Sequence, residues 1–412
     1  MPKENPYNKI AYETSYLAET NPELLQARAF LFGLNSANAA NSRVLEIGCG
    51  SGENLIELAK KFPQSKFLGF DEASNAIEKA NSNANYLDLK NIEFKNSSIQ
   101  DFNSTEKFDY IIAHGVFSWI DDDNRNKILK IASENLDDNG VFYVSYNVLP
   151  GFNFSEVLRQ MMIFHTKGIE VAEEKIIHAK NLLEFINETL KFYPDNIYKK
   201  QFSEEFEKLV SQPDWYIFHE FLEKNNKAFY FHEFINLINN FDLQFLSEIS
   251  IAAMNIENLP KFSYDILANI DDLIRVEQYI DFILNRKFRS SLLCKKAVKL
   301  CRNLQNINVE DKSFYAKFEL PKALENYDYK PNDKIIFEFQ NGVKTEIENF
   351  YLISAFEFLA KNSSAEKPIS FNQIIEFILS KTTQNPNESE LKKMIANNLL
   401  RTHFSGGVEL VL

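Results

Sequence analysis

Along the first 150 residues, short runs of branched apolar residues alternate with longer stretches whose apolar positions recur three and four apart. Arg43-Val44-Leu45-Glu46-Ile47 is the first run, continuous enough for a strand covered on both faces. Asn54 to Lys61 then carries helical spacing. Lys66-Phe67-Leu68-Gly69-Phe70, closed by Asp71, predicts a second strand, and about 74–87 a helix. Ile92-Glu93-Phe94-Lys95 and Phe108-Asp109-Tyr110-Ile111-Ile112-Ala113 predict strands three and four. A helix over about 123–136 leads, past Asn139-Gly140, to strand five at 141–146. This rhythm predicts a parallel sheet with helices on its faces. Before it, residues 22–32 read as an amphipathic helix, with Thr20 and Asn21 as candidate caps and Pro22 in the first turn. Such a helix, leading into strand one, can cover a ligand pocket from above. Tyr12 and Tyr16 just before it read equally as helix packing or as ligand contacts.

From residue 153 the pattern becomes long, helical and aromatic-rich. In Trp215-Tyr216-Ile217-Phe218-His219-Glu220-Phe221-Leu222 the aromatic residues read as core. A helix at 232–238, then strand-like runs at 243–249 and 288–295, would supply strands six and seven of the same sheet. Residues 1–152 are thus expected to form a ligand-binding core and 153–227 a helical insert. Residues 228–300 would complete the sheet and 301–412 form a separate unit. In that last unit Asn341-Gly342 between two alternating runs predicts a hairpin with a type I′ turn. Helices near 349–361, 370–381 and 388–401, closed by a ribbon at 405–412, suggest a winged-helix-like domain.

A chain of 412 residues, 45% hydrophobic, can bury several cores. The net charge of −13 argues against non-specific nucleic-acid binding and fits a basic protein partner better. The three cysteines, Cys49, Cys294 and Cys301, make no paired framework, which points to a reducing compartment. The polar start Met1-Pro2-Lys3-Glu4-Asn5-Pro6 lacks a secretion-type apolar stretch, and no run approaches the ~20 apolar residues of a membrane span. The expectation is a cytoplasmic protein with no membrane and no nucleic-acid partner. The histidines show no metal spacing: His219-Glu220 and His232-Glu233 each lack a His-x-x-x-His partner.

The chemistry concentrates in Glu46-Ile47-Gly48-Cys49-Gly50-Ser51-Gly52. Strand, glycine turn and helix start together form a cradle. Glycine lets the backbone approach a ligand, and the free N–H groups of the helix receive its polar or anionic parts. The spacing is Glu-x-Gly-x-Gly-x-Gly, which differs from a dinucleotide-type Gly-x-Gly-x-x-Gly and lacks a P-loop lysine. Asp71, about 20 residues on, stands where a carboxylate meets ribose hydroxyls.

These residues resemble the cofactor site of class I S-adenosylmethionine-dependent methyltransferases. The resemblance implies an α/β Rossmann-like fold that binds S-adenosyl-L-methionine and its product S-adenosyl-L-homocysteine (AdoHcy), with no metal. An NAD(P)-binding domain, or a degenerate fold without ligand, is the competing reading of the same motif. Ser98 and Ile99 fall where the family holds adenine, with Ser98 in place of the usual aspartate. Further stretches resemble bacterial methyltransferases that carry a methyltransferase regulatory domain, a group that includes the rickettsial outer-membrane-protein lysine methyltransferases. They are Thr20-Asn21-Pro22, Leu31-Phe32-Gly33-Leu34, His114-Gly115-Val116-Phe117-Ser118-Trp119-Ile120 and Ser145-Tyr146-Asn147-Val148-Leu149-Pro150-Gly151-Phe152. His219-Glu220-Phe221-Leu222, Phe231-His232-Glu233-Phe234 and Asn285-Arg286-Lys287-Phe288-Arg289 continue the likeness. Phe152 stands where that group often has tryptophan. The resemblance implies methylation of exposed lysines on a protein partner, and it is compatible with a homodimer.

The cofactor-binding set expected on these grounds is Glu46, Gly48, Cys49, Gly50, Asn54, Asp71, Glu72, Ser98, Ile99, His114 and Tyr16. Cys49 is there as a small residue of the turn. A lysine must arrive neutral and can be held by aromatic faces. Tyr146, Phe117 and Trp119, with Tyr12 and Tyr16, are therefore candidates for the acceptor channel, and His114 for proton transfer. Asn147-Val148-Leu149-Pro150 lacks the second proline and the aromatic residue of the Asn-Pro-Pro-aromatic element found in DNA amino-methyltransferases. A small-molecule methyltransferase and a non-catalytic sensor of cofactor level remain the rival functions.

Overall fold

The computed structural model describes residues 15–302, 307–324, 330, 333–382 and 386–412. Two compact units form, each from segments distant in sequence. The first runs through Asn21 and takes in Ala39–Phe245 and Glu277–Ala297; the second comprises Pro22–Asn38, Leu246–Val276 and Val298–Leu412. Helix α1 (Pro22–Leu31) belongs to the second unit, which begins well before residue 301.

The first unit follows the predicted rhythm. Its elements are β1 (Arg43–Ile47), α2 (Glu53–Lys61), β2 (Lys66–Asp71), α3 (Ser74–Tyr86), β3 (Ile92–Asn96), β4 (Phe108–Ala113), α4 (Asp122–Asn135) and β5 (Leu136–Asn147). The insert follows as α5 (Asn153–His165), α6 (Ala172–Leu190), α7 (Ile197–Val210), α8 (Asp214–Ile217) and a π-helical turn, Phe218–Leu222. Then come α9 (Phe231–Asn239), β6 (Leu243–Glu248), α11 (Leu273–Leu284) and β7 (Phe288–Lys295), while α10 (Lys261–Leu267), between β6 and α11, belongs to the second unit. The seven-stranded sheet has the order β3-β2-β1-β4-β5-β7-β6, with β7 antiparallel to β5 and the pairs from β3 to β5 parallel. This is the Rossmann-like class I methyltransferase fold. Its central strands are fully covered: Val44, Leu45, Ile111, Ile112, Phe142 and Val144 are wholly buried. At roughly 1.5–3 kcal/mol for each large apolar side chain, these runs fix which segments lie at the centre.

The insert has its own small core of Leu158, Met162, Ile176, Leu183, Phe202, Leu209 and Ile217. The chain leaving it returns to the loops that follow β4 and β5 by backbone bonds, Lys227 N to Ser118 O (2.8 Å) and Leu149 N to Phe229 O (2.9 Å). Gly151 is required here: a Cβ would lie 2.2 Å from the Asn285 carbonyl oxygen. Arg289 of β7 is buried on Phe231, 4.0 Å from the ring centroid. Its guanidinium bonds Asp281 (2.8 and 3.0 Å) and Glu277 (3.1 Å), which ties α11 to β7.

In the second unit, β8 (Ser313–Ala316), β9 (Ile335–Glu338), β10 (Lys344–Ile347), α12 (Phe350–Asn362), β11 (Ile369–Ser370), α13 (Phe371–Lys381), α14 (Glu388–Phe404) and β12 (Val408–Val411) follow. Asn349 caps α12, and Ser370 with Gln373 forms a capping box on α13. The final strand makes no ribbon of its own. It adds to β8 in the order β11-β8-β12, and the four-residue β8 carries too short a pattern to be read from sequence. The β9–β10 hairpin also differs from the predicted turn. Gly342 has φ +82° while Asn341 keeps a negative φ, and Gly342 N bonds Phe339 O at 2.8 Å. That is a type I turn followed by a left-handed glycine, the three-residue hairpin loop.

Helix α1 is held inside this unit. Arg28 pairs with Glu409 at 2.7 Å and bonds the Ile249 carbonyl, also at 2.7 Å. None of its residues is among those that line the cavity described next.

Candidate active site

A cavity of about 630 Å³ opens at the carboxyl edge of the sheet. Its floor is the glycine turn. Gly48, Gly50 and Gly52 have φ of +71°, +51° and +79°, a region open to glycine at little cost. At Gly48 a Cβ would also stand 2.5 Å from Val116 Cγ2, and at Gly52 2.5 Å from the Phe94 ring. Gly52, the N-cap residue of α2, has no side chain to cap the helix, and the positive end of α2 stands at the cavity floor.

Asp71, at the tip of β2, accepts from Gly50 N (3.0 Å) and Ala73 N (2.9 Å) and so holds the turn against the second strand. Burial raises its carboxyl above the usual range, and the backbone donors oppose that rise. Glu46 is buried in the cavity wall. Its Oε1 accepts from Asn54 Nδ2 at 2.9 Å, while Oε2 has no hydrogen-bond partner among the described residues. Burial lifts its carboxyl to about 8, with Asp71 and Glu53 adding and Asn54 subtracting. Asn54 also bonds Thr20 Oγ1 (3.0 Å) and accepts from Leu17 N (3.0 Å), fastening the 15–20 segment over the turn. Thr20 therefore serves this link instead of a helix cap.

The opposite end is built from distant segments. His114 follows β4, and Trp119, Ile120 and Asn124 come from the loop and start of α4. Trp215, His219 and Glu220 arrive from the insert. Glu220 sits on the π-helical turn, and burial lifts its carboxyl to about 8, Trp119 opposing. Burial lowers His114 below its ordinary value, with Glu19 pulling the other way.

Of the residues expected from sequence, Glu46, Gly48, Cys49, Gly50, Asn54, Asp71, Glu72, Ile99, His114 and Trp119 all line this cavity. Four do not. Ser98 turns its hydroxyl to Asp101 Oδ2 (2.6 Å), and Ser97 and Ile99 occupy the wall instead. Tyr16 lines a separate hollow of about 360 Å³ with Glu53, Ile56 and Tyr86 on the outer side of α2. Phe117 and Tyr146 are wholly buried: Tyr146 stacks on Phe234 at 4.0 Å, and Phe117 meets the same ring edge-on at 5.7 Å. The alternation of β5 explains the second case. Tyr143 and Ser145 face His114 and Gly115, so Tyr146 must face the other way. Tyr12 lies outside the described residues. Sequence reading missed Trp215 and Glu220. Their one signal was a His-Glu pair inside an otherwise apolar aromatic run.

The cavity suits the cofactor that the glycine motif implies. The buried Glu46 Oε2, without a partner among the described residues, is available to a ligand ammonium, and the positive end of α2 suits a ligand carboxylate. The Asp71 carboxylate lines the cavity at the tip of β2, where the resemblance implies the ribose, and the volume lies within the ~300–1,000 Å³ usual for small-ligand sites. No cluster of metal-ligating side chains occurs among the described residues.

Fold and site together define an S-adenosylmethionine-dependent methyltransferase of class I. The chain belongs to the methyltransferases that carry a methyltransferase regulatory domain. The Methyltransferase domain family matches residues 38–226, and the Predicted methyltransferase regulatory domain family matches 213–295. Protein RP789 of Rickettsia prowazekii is 36% identical over 98% of this chain and 73% of its own length. PKMT2 of Rickettsia typhi in complex with AdoHcy superposes with a TM-score of 0.83 at 32% identity, covering 97% of this chain and 77% of that one. The malonyl-[acyl-carrier protein] O-methyltransferase of Bacillus cereus is 30% identical over 34% of this chain and 50% of its own. No helix among the described residues is long and apolar enough to cross a membrane.

Proposed function

We propose that this enzyme methylates lysine side chains of a protein substrate. The observation that carries the reading is the make-up of the cavity beyond the glycine turn, where Trp119, Trp215 and Glu220 converge beside His114. Indole faces attract an ammonium by ~0.5–2 kcal/mol. Glu220 can give up its proton as a cation arrives. The cofactor supplies an electrophilic methyl group; the chain's own residues orient the amine, exclude water and receive its proton. Holding two reactants in line is worth roughly 7–11 kcal/mol. The likeness to PKMT2, whose name reads as a protein-lysine methyltransferase, supports the same assignment. Under this reading the acidic surface speeds encounter with a lysine-rich partner.

The insert, residues 153–227, serves as the acceptor-side wall. We read the C-terminal unit as a winged-helix-like protein-contact module, on its three helices and short antiparallel sheet. The test is partition of label. Incubated with methyl-labelled S-adenosylmethionine and a cell lysate, the enzyme should place label in the protein fraction. Label confined to small molecules would move the assignment to a small-molecule methyltransferase.

A further inference from the structure

Against His114 lies a group of hydrogen bonds whose other members, Glu19, Tyr143 and Ser290, do not line the cavity. His114 Nδ1 is 2.9 Å from the Tyr143 hydroxyl and 3.3 Å from Glu19 Oε1. Tyr143 donates to Glu19 Oε1 at 2.5 Å. The Ser290 hydroxyl is 3.0 Å from that of Tyr143 and 3.4 Å from Glu19 Oε1. The chemistry assigns the protons. A tyrosine hydroxyl has one hydrogen, and the short contact gives it to the carboxylate. The Tyr143 oxygen is then left to accept from His114 Nδ1–H, and the basic nitrogen is Nε2. Glu19 is about one-third exposed, with a side-chain accessibility of 36%, so the group runs from the cavity to solvent.

We propose that Glu19, Tyr143 and Ser290 position His114 and carry away the proton that its Nε2 takes from the acceptor amine. The inference rests on the amine-methylation reading. The amine lone pair forms the N–C bond, the breaking C–S bond leaves its electron pair on sulfur, and the surplus proton goes to Nε2. The Nδ1 proton then passes to the Tyr143 oxygen as the hydroxyl proton passes to Glu19, which exchanges it with water. Among the groups around His114, the Glu19 carboxylate and the Tyr143 hydroxyl touch it, and Phe288 of β7 meets the ring edge-on at 6.3 Å. Glu46, Asp71, Glu72 and Glu220 are the acidic groups that share its cavity, with Lys79 as the cation. Glu19 is the charge in contact with the ring, and its pull opposes the lowering that burial imposes on His114. His114 is the catalytic residue here, and Glu19 and Tyr143 are positioning residues.

The test uses the full chain carrying isotope-labelled histidine, with the His114 signal identified by its loss in His114→Asn. Its NMR titration should fall below the ordinary histidine range in the wild type. In Glu19→Gln it should drop by a further pH unit or so, the usual size for losing a carboxylate at that range. Tyr143→Phe should shift the nitrogen signals away from the Nδ1–H tautomer. With poly-L-lysine as acceptor, Glu19→Gln should lower kcat about tenfold and move the acid limb of the pH profile downward, and His114→Asn should lose roughly a hundredfold. Cofactor affinity, read by calorimetry, should stay unchanged in Glu19→Gln. A His114 titration and acid limb that do not move in Glu19→Gln would overturn the proposal. A wild type that leaves poly-L-lysine unmethylated, but whose His114 titration shifts as expected, would count against the lysine substrate and for the cluster.

Discussion

Glu46→Gln separates the cost of an empty cofactor site from its use. The buried carboxyl titrates near 8 instead of 4.5, so it is mostly protonated at pH 7. By linkage, a folded-state value raised above the unfolded one favours folding below pH 4.5 and loses that advantage as the pH rises towards 8. At pH 7 the penalty relative to an unperturbed glutamate is about 3 kcal/mol, from roughly 2.5 pH units at 1.36 kcal/mol each. Glutamine has nearly the same shape, can still accept from Asn54, and never ionises. The variant without ligand should therefore melt higher than the wild type above pH 6, with the gap growing to about pH 8. Cofactor binding should respond in the opposite direction. Pairing the unpartnered Oε2 with the ligand ammonium requires the carboxylate, so the wild type should release close to one proton per cofactor at pH 7. Losing that charged bond should weaken binding by about 1.5–3 kcal/mol in the variant. Calorimetry in two buffers of different ionisation enthalpy counts the protons. A wild type that binds with no proton release, or a glutamine variant that releases as many, would refute the reasoning.

Gly52→Ala should abolish cofactor binding, because its φ of +79° and a Cβ 2.5 Å from Phe94 distort the turn, and fluorescence titration would show it. Arg289→Ala leaves Glu277 and Asp281 buried without their main cation and should cost about 3–5 kcal/mol in urea unfolding. Glu220→Gln should raise KM for a lysine acceptor severalfold while leaving the cofactor Kd unchanged. Equal loss of both would place Glu220 at the cofactor end. Asp71→Ala, which frees Gly50 N and Ala73 N, should weaken cofactor binding by about 1–3 kcal/mol in calorimetry.

What was legible in the sequence was local. The strand-turn-helix around Gly48 is specified by five consecutive strand residues, the glycines and the helix that follows, so its geometry needs no distant partner. Asp71 was legible for the same reason, as the residue ending the neighbouring parallel strand. Residues 243–248 and 288–295 were readable as strands because both are continuous buried runs. The end of the cavity away from the glycine turn was not legible. Trp215 and Glu220 reach the cavity only because the insert helices fold back, and their pattern is that of any core helix. The π-helical turn, which shifts side chains off the 3.6-residue period, leaves no mark in the periodicity. Tyr146 and Phe117 misled because closeness to a strand's carboxyl end does not say which face a side chain takes. Tyr16 stands between Ser15 and Leu17, which both line the cavity, yet its own side chain turns outward along α2. Spacing alone could not have shown that.

The central claim, methyl transfer to protein lysine, is tested most directly by amino-acid analysis. A protein fraction reacted with methyl-labelled S-adenosylmethionine and the enzyme is hydrolysed in acid and its labelled amino acids are separated. The account predicts label co-migrating with N-methylated lysines, absent from a Gly52→Ala control. Label in methyl esters, in arginine derivatives or in no amino acid at all would contradict it.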